Sequence, residues 1–452
     1  MTKKALLITG QESETVSTLA RNLIPTGGLS LFARQMLQMK SIGIDEMHVI
    51  TDWFAQDFEK EMAKCRVKPR DIFIHSTKEA PLKLLEHNDE GSIWFLIEEA
   101  VLLDDRIIEQ VAINPAPTVI SLIGQNEFLS THTANGISLH LDDQEGYFGS
   151  LAKLSRKTLS ANVRKLNSLE GLANALKSIA RAEDCVIFKV TNTPLYDARY
   201  GRNIDLVWLP ITRKEDGDHG TEILLDYAKG NIQDVFARYA YGYCENFLVK
   251  YMSRFPIFPA HVMAAMSILG FYIMYLFWSG HLLPALFGTY IVGILSGVND
   301  KFIHLKRMSS KLERLGHFMT KVLSFGWYFS IAVFLSRLYG MIPYILAAVI
   351  ILCHIADSVQ MEFFRRMTTL RLYNAAAFDR KFHLIASSST TQMWILLLFG
   401  LYHQWLIGLG FICAYGIITF FVHQARLVYH LKNIMIENSN IFAENFKTTK
   451  IL

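Results

Sequence analysis

Cysteine is scarce in this chain and dispersed where it occurs. Cys65, Cys185, Cys244, Cys353 and Cys413 are the five, with no CxxC pair among them. Neither a zinc ribbon nor a disulfide framework is indicated, and reduced core thiols are expected. Charge is thin as well: 19% of the 452 residues are Asp, Glu, Lys or Arg, and the net charge is +4. So small an excess gives no reason to expect a nucleic-acid partner, particularly as the basic residues of the second half stand beside apolar runs. The start, MTKKALLITG, has two lysines but no apolar stretch or cleavage pattern of a signal peptide, so the first domain is expected in the cytoplasm. Long uncharged runs are missing before about residue 255 and frequent from there to about residue 425. Half of the residues are hydrophobic, and this uneven spread divides the chain into a mixed half and a membrane half.

In the first half, short β-rich runs alternate with helical ones: KALLITG, SLFARQMLQMKSIG, MHVITD, FAQDFEKEMAKCRV, DIFIHS, SIWFLIEE, DDRIIEQVAI, TVISLIG. Such alternation predicts a doubly wound, Rossmann-like α/β sheet. Leu31, Phe32, Met36, Leu37 and Met39 recur mainly at three- and four-residue spacing, which predicts a core-facing helix. Later strands, ISLHLDD, CVIFKV and DLVWLPIT, and two helices between Tyr147 and Arg181 are expected to extend the same sheet. The α/β domain is thus expected over 1–228.

Residues 229–258 mix aromatics with basic residues at helical spacing, as in Asp234-Val-Phe-Ala-Arg-Tyr-Ala-Tyr, and predict an amphipathic helix lying in the membrane interface. From 259 to 436 an all-α domain of six spans is expected, at about 260–279, 283–299, 316–336, 341–361, 383–402 and 405–425, followed by a polar tail over 437–452. The last two spans form one uncharged stretch that must turn at Tyr402-His-Gln-Trp405, since a single helix of roughly 44 residues would be about 66 Å long against a bilayer of ~30 Å. Lys301, Lys306, Arg307, Lys311 and Arg314 mark one connection as basic, and Arg365, Arg366, Arg371, Arg380 and Lys381 mark another. The alternate turns SGHLLP, SRLYGM and YHQW carry almost no charge, so both termini are expected in the cytoplasm.

Two stretches carry a family resemblance. Arg21-Asn-Leu-Ile-Pro-Thr-Gly-Gly-Leu-Ser-Leu-Phe-Ala-Arg-Gln-Met, closing on GIDEMHVIT, resembles the opening of a sugar-phosphate nucleotidyltransferase domain. That family wraps the triphosphate in a glycine-rich loop, because glycines let backbone N–H groups approach the phosphates. Here Gln11-Glu-Ser-Glu-Thr15 stands in its place, and two acids there would repel a triphosphate. The family's magnesium-binding aspartate falls on Ala100, with Glu98 and Glu99 adjacent and Glu99 the candidate for a displaced ligand. A retained fold without nucleotide chemistry is expected.

The second stretch is SGVNDKFIHLKRMSSKLERLGHFMTK, Ser296–Lys321. Its position and the residues between its key sites, Gly297, Leu305, Lys306, Met308, Ser310, Lys311 and Leu312, resemble the signature of the CDP-alcohol phosphatidyltransferases. The Phe-Pro-Ile-Phe-Pro turn before the first span supports this, as does the order of the whole chain, which is similar to two-domain proteins of the inositol-phospholipid-synthase type. In that family four aspartates hold divalent metals against a CDP-lipid, and the last serves as base, work that requires oxygen ligands and a proton acceptor. In this chain the four fall on Ser296, Asn299, His317 and Lys321, while a glycine falls on Asp300, the arginine on His304 and the second glycine on Glu313. Replacing four carboxylates in this way moves the pocket from roughly minus four to about plus one, and a divalent cation has little reason to sit there.

Three readings of the site stay open: a rebuilt metal site from Asp300, His304 and His317; a cationic pocket of His304, His317 and Lys321 that takes a lipid phosphate; and polar residues at a disused site. Arg365 and Arg366 are further candidates for an anionic headgroup. Asp357, inside the fourth apolar run, is expected to bond one of Ser387, Ser388 and Ser389. The resemblance implies a degenerate membrane relative acting as a lipid-binding, scaffolding or regulatory component, with no cofactor. Its alternative is an active phosphatidyltransferase that uses magnesium or manganese through an altered site. Expected partners are membrane lipids, a second copy through the membrane helices, and an intact homologue or another lipid-pathway protein.

Overall fold

The computed structural model describes residues 2–9, 19–65, 67–124, 137–141, 144–166, 169–182, 184–197, 202–228, 240–253, 255, 257–307, 310–368 and 370–437. The expected triphosphate-loop position 11–15, most of the junction 229–239 and the tail from 438 lie outside these residues, as does the side chain of Glu313. The chain forms two compact units, one of Met1–Asp197 with Arg202–Tyr227 and one from Ala228 onward.

The first unit is an α/β domain. Its strands are β1 (Lys3–Ile8), β2 (Glu46–Ile50), β3 (Asp71–His75), β4 (Ile93–Ile97), β5 (Val101–Leu103), β6 (Thr118–Gly124), β7 (Ser138–Leu141), β8 (Gln144–Ser155), β9 (Cys185–Lys189) and β10 (Trp208–Pro210). The main sheet runs β9-β6-β8-β4-β1-β2-β3, with β7 paired to β8. Strands β3, β2, β1 and β4 are mutually parallel, as are β9 and β6. Strand β8 runs antiparallel to both β4 and β6. The helices are α1 (Leu31–Ser41), α2 (Ala55–Lys64), α3 (Ala80–Glu86), α4 (Asp105–Ile113), α5 (Arg156–Asn162), α6 (Leu169–Ala180) and α7 (Lys214–Ala228). Alternate residues of each strand feed two cores. Leu7, Val49 and Phe95 pack with Phe32, Phe58 and Ile107 of α1, α2 and α4. Leu6, Trp94 and Leu96 pack with Leu84, Leu159 and Leu172 of α3, α5 and α6.

The doubly wound expectation needs two corrections. The helices expected from Tyr147 on begin only at Arg156, because Tyr147–Ser155 belongs to a strand buried on both faces. Gly149 makes that possible: a Cβ there would lie 2.7 Å from Ser121 Oγ on the neighbouring strand. The run DLVWLPIT does not extend the sheet either, since β10 pairs with β5 in a separate two-stranded ribbon.

The second unit comprises α8 (Gly242–Met252), α9 (Pro259–Ser279), α10 (Leu282–Leu305), α11 (Ser310–Tyr339), α12 (Ile342–Thr368), α13 (Ala377–Ile385), α14 (Ser389–Leu401) and α15 (Trp405–Glu437). Helices α9, α10, α11, α12 and α15 are each long and apolar enough to cross a membrane, and α13 with α14 forms a sixth candidate bent by 41°. This is a multi-pass integral membrane protein. The break in the fifth candidate lies at Ala386–Ser388, where Ser388 is extended and its Oγ accepts from Thr391 N at 3.0 Å, so a serine cap restarts the helix. The expected turn before Trp405 is present. Met266, Phe277, Leu286, Leu323, Tyr328, Leu396 and Ile412 are among the residues that fill the centre of the bundle. Gly293 and Gly297, four residues apart on α10, let α8 approach closely. A methyl at 293 would lie 3.0 Å from the Tyr241 ring, and one at 297 would collide with the Glu245 carboxylate.

Candidate functional site: a hydroxyl-lined cavity in the membrane unit

The sequence of α10 repeats small and polar residues at helical spacing. Thr289, Gly293, Ser296, Gly297 and Asp300 therefore share one face, and with Tyr290 they line a cavity of about 180 Å³. Helix α11 adds Thr320, Ser324 and Trp327, α14 adds Ser389, Thr390 and Met393, and Tyr241 and Glu245 close the wall on the α8 side. Several of these hydroxyls spend their proton on backbone carbonyls within their own helix. Thr289 donates to Leu286 O at 2.6 Å, Thr320 to Gly316 O at 3.0 Å and Ser324 to Thr320 O at 2.9 Å. Tyr290 donates across to Met393 O at 3.1 Å. A hydroxyl engaged in this way keeps its oxygen lone pairs, so the wall offers acceptors.

Two acids reach the cavity, and they differ. Glu245 is neutralised: its carboxylate lies 2.7 Å from Lys301 Nζ, and both side chains are at most 3% exposed. Lys301 also donates to Asn246 Oδ1 at 2.7 Å. Asp300 Oδ2 lies 3.9 Å from His317 Nδ1, an ion pair when that histidine is protonated.

Of the residues singled out in the sequence, Ser296, Gly297, Asp300 and Ser389 line this cavity. Ser296 Oγ lies 3.3 Å from Thr320 Oγ1. Asn299 is buried against Gly316, where a Cβ would come within 2.8 Å of its Nδ2. His304 is half-buried, His317 is exposed, and neither lines the cavity. Lys321 is also outside it and donates to Ser358 Oγ at 3.0 Å. Arg365 and Arg366 both pair with Glu362 on their own helix, at 2.7 and 2.9 Å. Among the described residues, Asp300, His304 and His317 do not close into a three-ligand group.

The divalent ions that the resemblance would imply find few ligands at the positions it points to. Of the four positions that would supply carboxylates, one is a serine bonded to a threonine, one a buried amide, one an exposed histidine and one a lysine held by Ser358. A hard cation needs oxygen ligands in number, and Asp300 alone does not provide them. Sequence reasoning missed Glu245, Lys301 and the hydroxyls of α11. Thr320 and Ser324 at four-residue spacing were a legible signal, whereas the Glu245–Lys301 pair joins helices 56 positions apart.

Asp357 also differs from expectation. It accepts from His423 Nδ1 at 2.8 Å and Gln360 Nε2 at 2.6 Å, while Ser387 Oγ accepts from Gln392 Nε2 at 2.7 Å. In the α/β unit, Ala100 stands just after β4 with φ 54°, and its amide donates to Asn22 Oδ1 at 2.5 Å. Glu99 is buried. Glu98 accepts from Ser150 Oγ at 2.7 Å, and Ser150, itself at φ 67°, accepts from Trp208 Nε1 at 2.9 Å. Burial pushes the Glu98 carboxyl up to about 7; Ser150 pulls it down, and Glu99 pushes it further up.

No protein-family model and no curated protein matches the chain. Among solved structures it is similar to the inositol-1-phosphate CTP transferase from T. maritima, with 11% identity over 49% of this chain and 96% of that one, at a TM-score of 0.36. It is also similar to the CTP:phosphocholine cytidylyltransferase LicC from Streptococcus pneumoniae, with 12% identity over 50% and 100%, at 0.35. HddC from Yersinia pseudotuberculosis is a third, with 12% identity over 48% and 98%, at 0.34. No chemistry is carried over from likenesses this distant.

Proposed function

We propose that the protein is a phospholipid-binding membrane component built on the CDP-alcohol phosphatidyltransferase plan, with a cavity that holds a lipid headgroup and no metal-dependent transfer. The acceptor-rich wall around Ser296 and Asp300 carries this reading. The lone pairs left on Thr289, Thr320 and Ser324 favour a headgroup rich in donors: a polyol or an amino alcohol. His304, His317, Lys321, Arg365 and Arg366 lie off this cavity's lining, and the proposal places the headgroup at Ser296 and Asp300 instead. A volume of about 180 Å³ suits a small headgroup and leaves the acyl chains outside, along the bundle. The α/β domain, with Ala100 at the ligand position, serves in this reading as a scaffold or regulatory surface without nucleotide turnover. Both termini cytoplasmic, a homodimer through the membrane helices and an intact homologue as partner complete the proposal.

The test is lipid composition by mass spectrometry of purified protein, wild type against Asp300→Asn and Ser296→Ala. Enrichment of one polyol or amino-alcohol phospholipid is expected, reduced roughly tenfold in Asp300→Asn, the scale of one charge-assisted hydrogen bond. An unchanged lipid spectrum would sink the headgroup assignment. CDP-diacylglycerol with candidate alcohols and magnesium or manganese is expected to release no CMP. Turnover that persists after removal of contaminating homologues would establish the active-transferase alternative, with Asp300 as its remaining acid.

A further inference from the structure

The α/β unit holds a second polar cluster. Glu46 opens β2, His48 lies two residues on along the same face, and His87 follows α3. Glu46 Oε1 is 2.8 Å from His48 Nε2 and 2.9 Å from His87 Nδ1, and the three donor atoms lie within 4.8 Å of one another. His75 Nε2 stands 2.9 Å from the other ring nitrogen of His48. We propose that Glu46, His48 and His87 form a binding site for a zinc-class divalent cation, with His75 as the positioning residue behind His48.

Two imidazoles and one carboxylate are the donor set that zinc and its neighbours prefer, and magnesium or calcium would not select it. Zinc bonds of about 2.0–2.1 Å place tetrahedral donors roughly 3.3 Å apart, so the two present separations need to open by about half an ångström. No net proton release is required. In the metal-free cluster the Nε2–H of His48 and the Nδ1–H of His87 donate to Glu46, and the Nε2–H of His75 donates to His48 Nδ1. On binding, His48 shifts its proton to Nδ1 and frees Nε2, His75 shifts its own to Nδ1 so that Nε2 accepts from His48, and His87 shifts its proton to Nε2 and frees Nδ1. A metal-bound histidine held by a partner on its second nitrogen is the usual arrangement, and His75 supplies that partner. His48 is fully buried, while Glu46 and His87 keep 22% and 31% side-chain exposure, which leaves a way in from solvent. Glu46 and Lys4 pair in register near the beginnings of their strands, whereas open α/β sheets bind their ligands at the carboxyl ends. The cluster is therefore separate from the Ala100 edge.

Lys4 is the competitor. Its Nζ lies 3.0 Å from Glu46 Oε1, where it opposes a dication, but it also holds Asp89 Oδ2 at 2.9 Å and the carbonyl of His87. Asp89 and that carbonyl can keep the ammonium once Glu46 turns to the metal. Removing Lys4 should therefore tighten the site, a consequence that a purely structural hydrogen-bond cluster does not share.

Full-length protein without a histidine tag, stripped by chelator in detergent, is titrated with Zn2+ and with Co2+. One ion per chain is expected, with Co2+ giving the intense visible bands of a four-coordinate site. His87→Ala and Glu46→Gln should each weaken binding at least tenfold, and Lys4→Met should strengthen it about tenfold. Circular dichroism confirms that each variant is folded, and the half-exposed His87 is the substitution that least disturbs the core. Absence of stoichiometric binding in both wild type and Lys4→Met would overturn the assignment, as would binding that His87→Ala leaves unchanged. Lipid content is read on the same samples, so a failure here is distinct from a failure of the headgroup reading.

Discussion

Replacing Glu245 by alanine is expected to destabilise the membrane unit by roughly 3–5 kcal/mol, the usual cost of leaving one member of a buried ion pair alone. Lys301 is 3% exposed and sits on a membrane helix, so its ammonium would keep Asn246 as a partner and lose the charge that balances it. A double replacement, Glu245→Ala with Lys301→Met, should recover most of the loss, because an uncharged pair no longer carries the desolvation cost of an isolated cation. Gly297→Ala should act through the same pair, since the added methyl meets the Glu245 carboxylate and forces α8 away from α10. Thermal unfolding in detergent reads all three. A single Glu245→Ala variant as stable as the wild type would show that the pair does not hold α8 in place.

The second large effect is a pH dependence. Glu98 has an ordinary carboxyl value of 4.5 and stands at about 7 in the folded domain. The folded state therefore keeps a proton that the unfolded chain has released between these values. Stability is fully present below about pH 4.5, falls as pH rises through that window and levels off above about 7. The shift corresponds to on the order of 3 kcal/mol, an upper end because Glu98 retains some exposure. Glu98→Gln keeps an oxygen that can accept from Ser150 and removes the titration. The variant should match wild type near pH 4.5 and exceed it by up to about that amount at pH 8. Denaturant unfolding at both pH values, followed by tryptophan fluorescence, measures the difference. Equal offsets at the two pH values would assign the effect to something other than Glu98 ionisation.

Much of the architecture was legible in the sequence because its signals are local. A helix long enough to cross a bilayer shows itself as a run without charges, and α9, α10, α11, α12 and α15 fall where those runs do. The β/α alternation from Lys4 to Gly124 likewise matched, since alternate burial along a strand is written in adjacent residues. Strand β8 was misjudged for a physical reason. A strand covered on both faces loses its period of two, and two glycines with scattered apolar residues then read equally well as a helix.

The site was legible only in part. Ser296 and Asp300 could be placed on one helical face by their spacing. The expected gathering of His304, His317 and Lys321 did not occur at the cavity, because helical spacing puts residues on a face without saying what that face meets. Lys321 meets Ser358, 37 positions away, and Asp357 meets His423, 66 positions away.

The sequence by itself thus determined the two-part plan and the apolar spans. These depend on composition, local period and the chemistry of single side chains. Only the tertiary structure decided which residues share a cavity, that Glu245 cancels Lys301, and that Glu46, His48 and His87 converge. Each of those depends on side chains brought together from different elements, and their distance in space is set by packing.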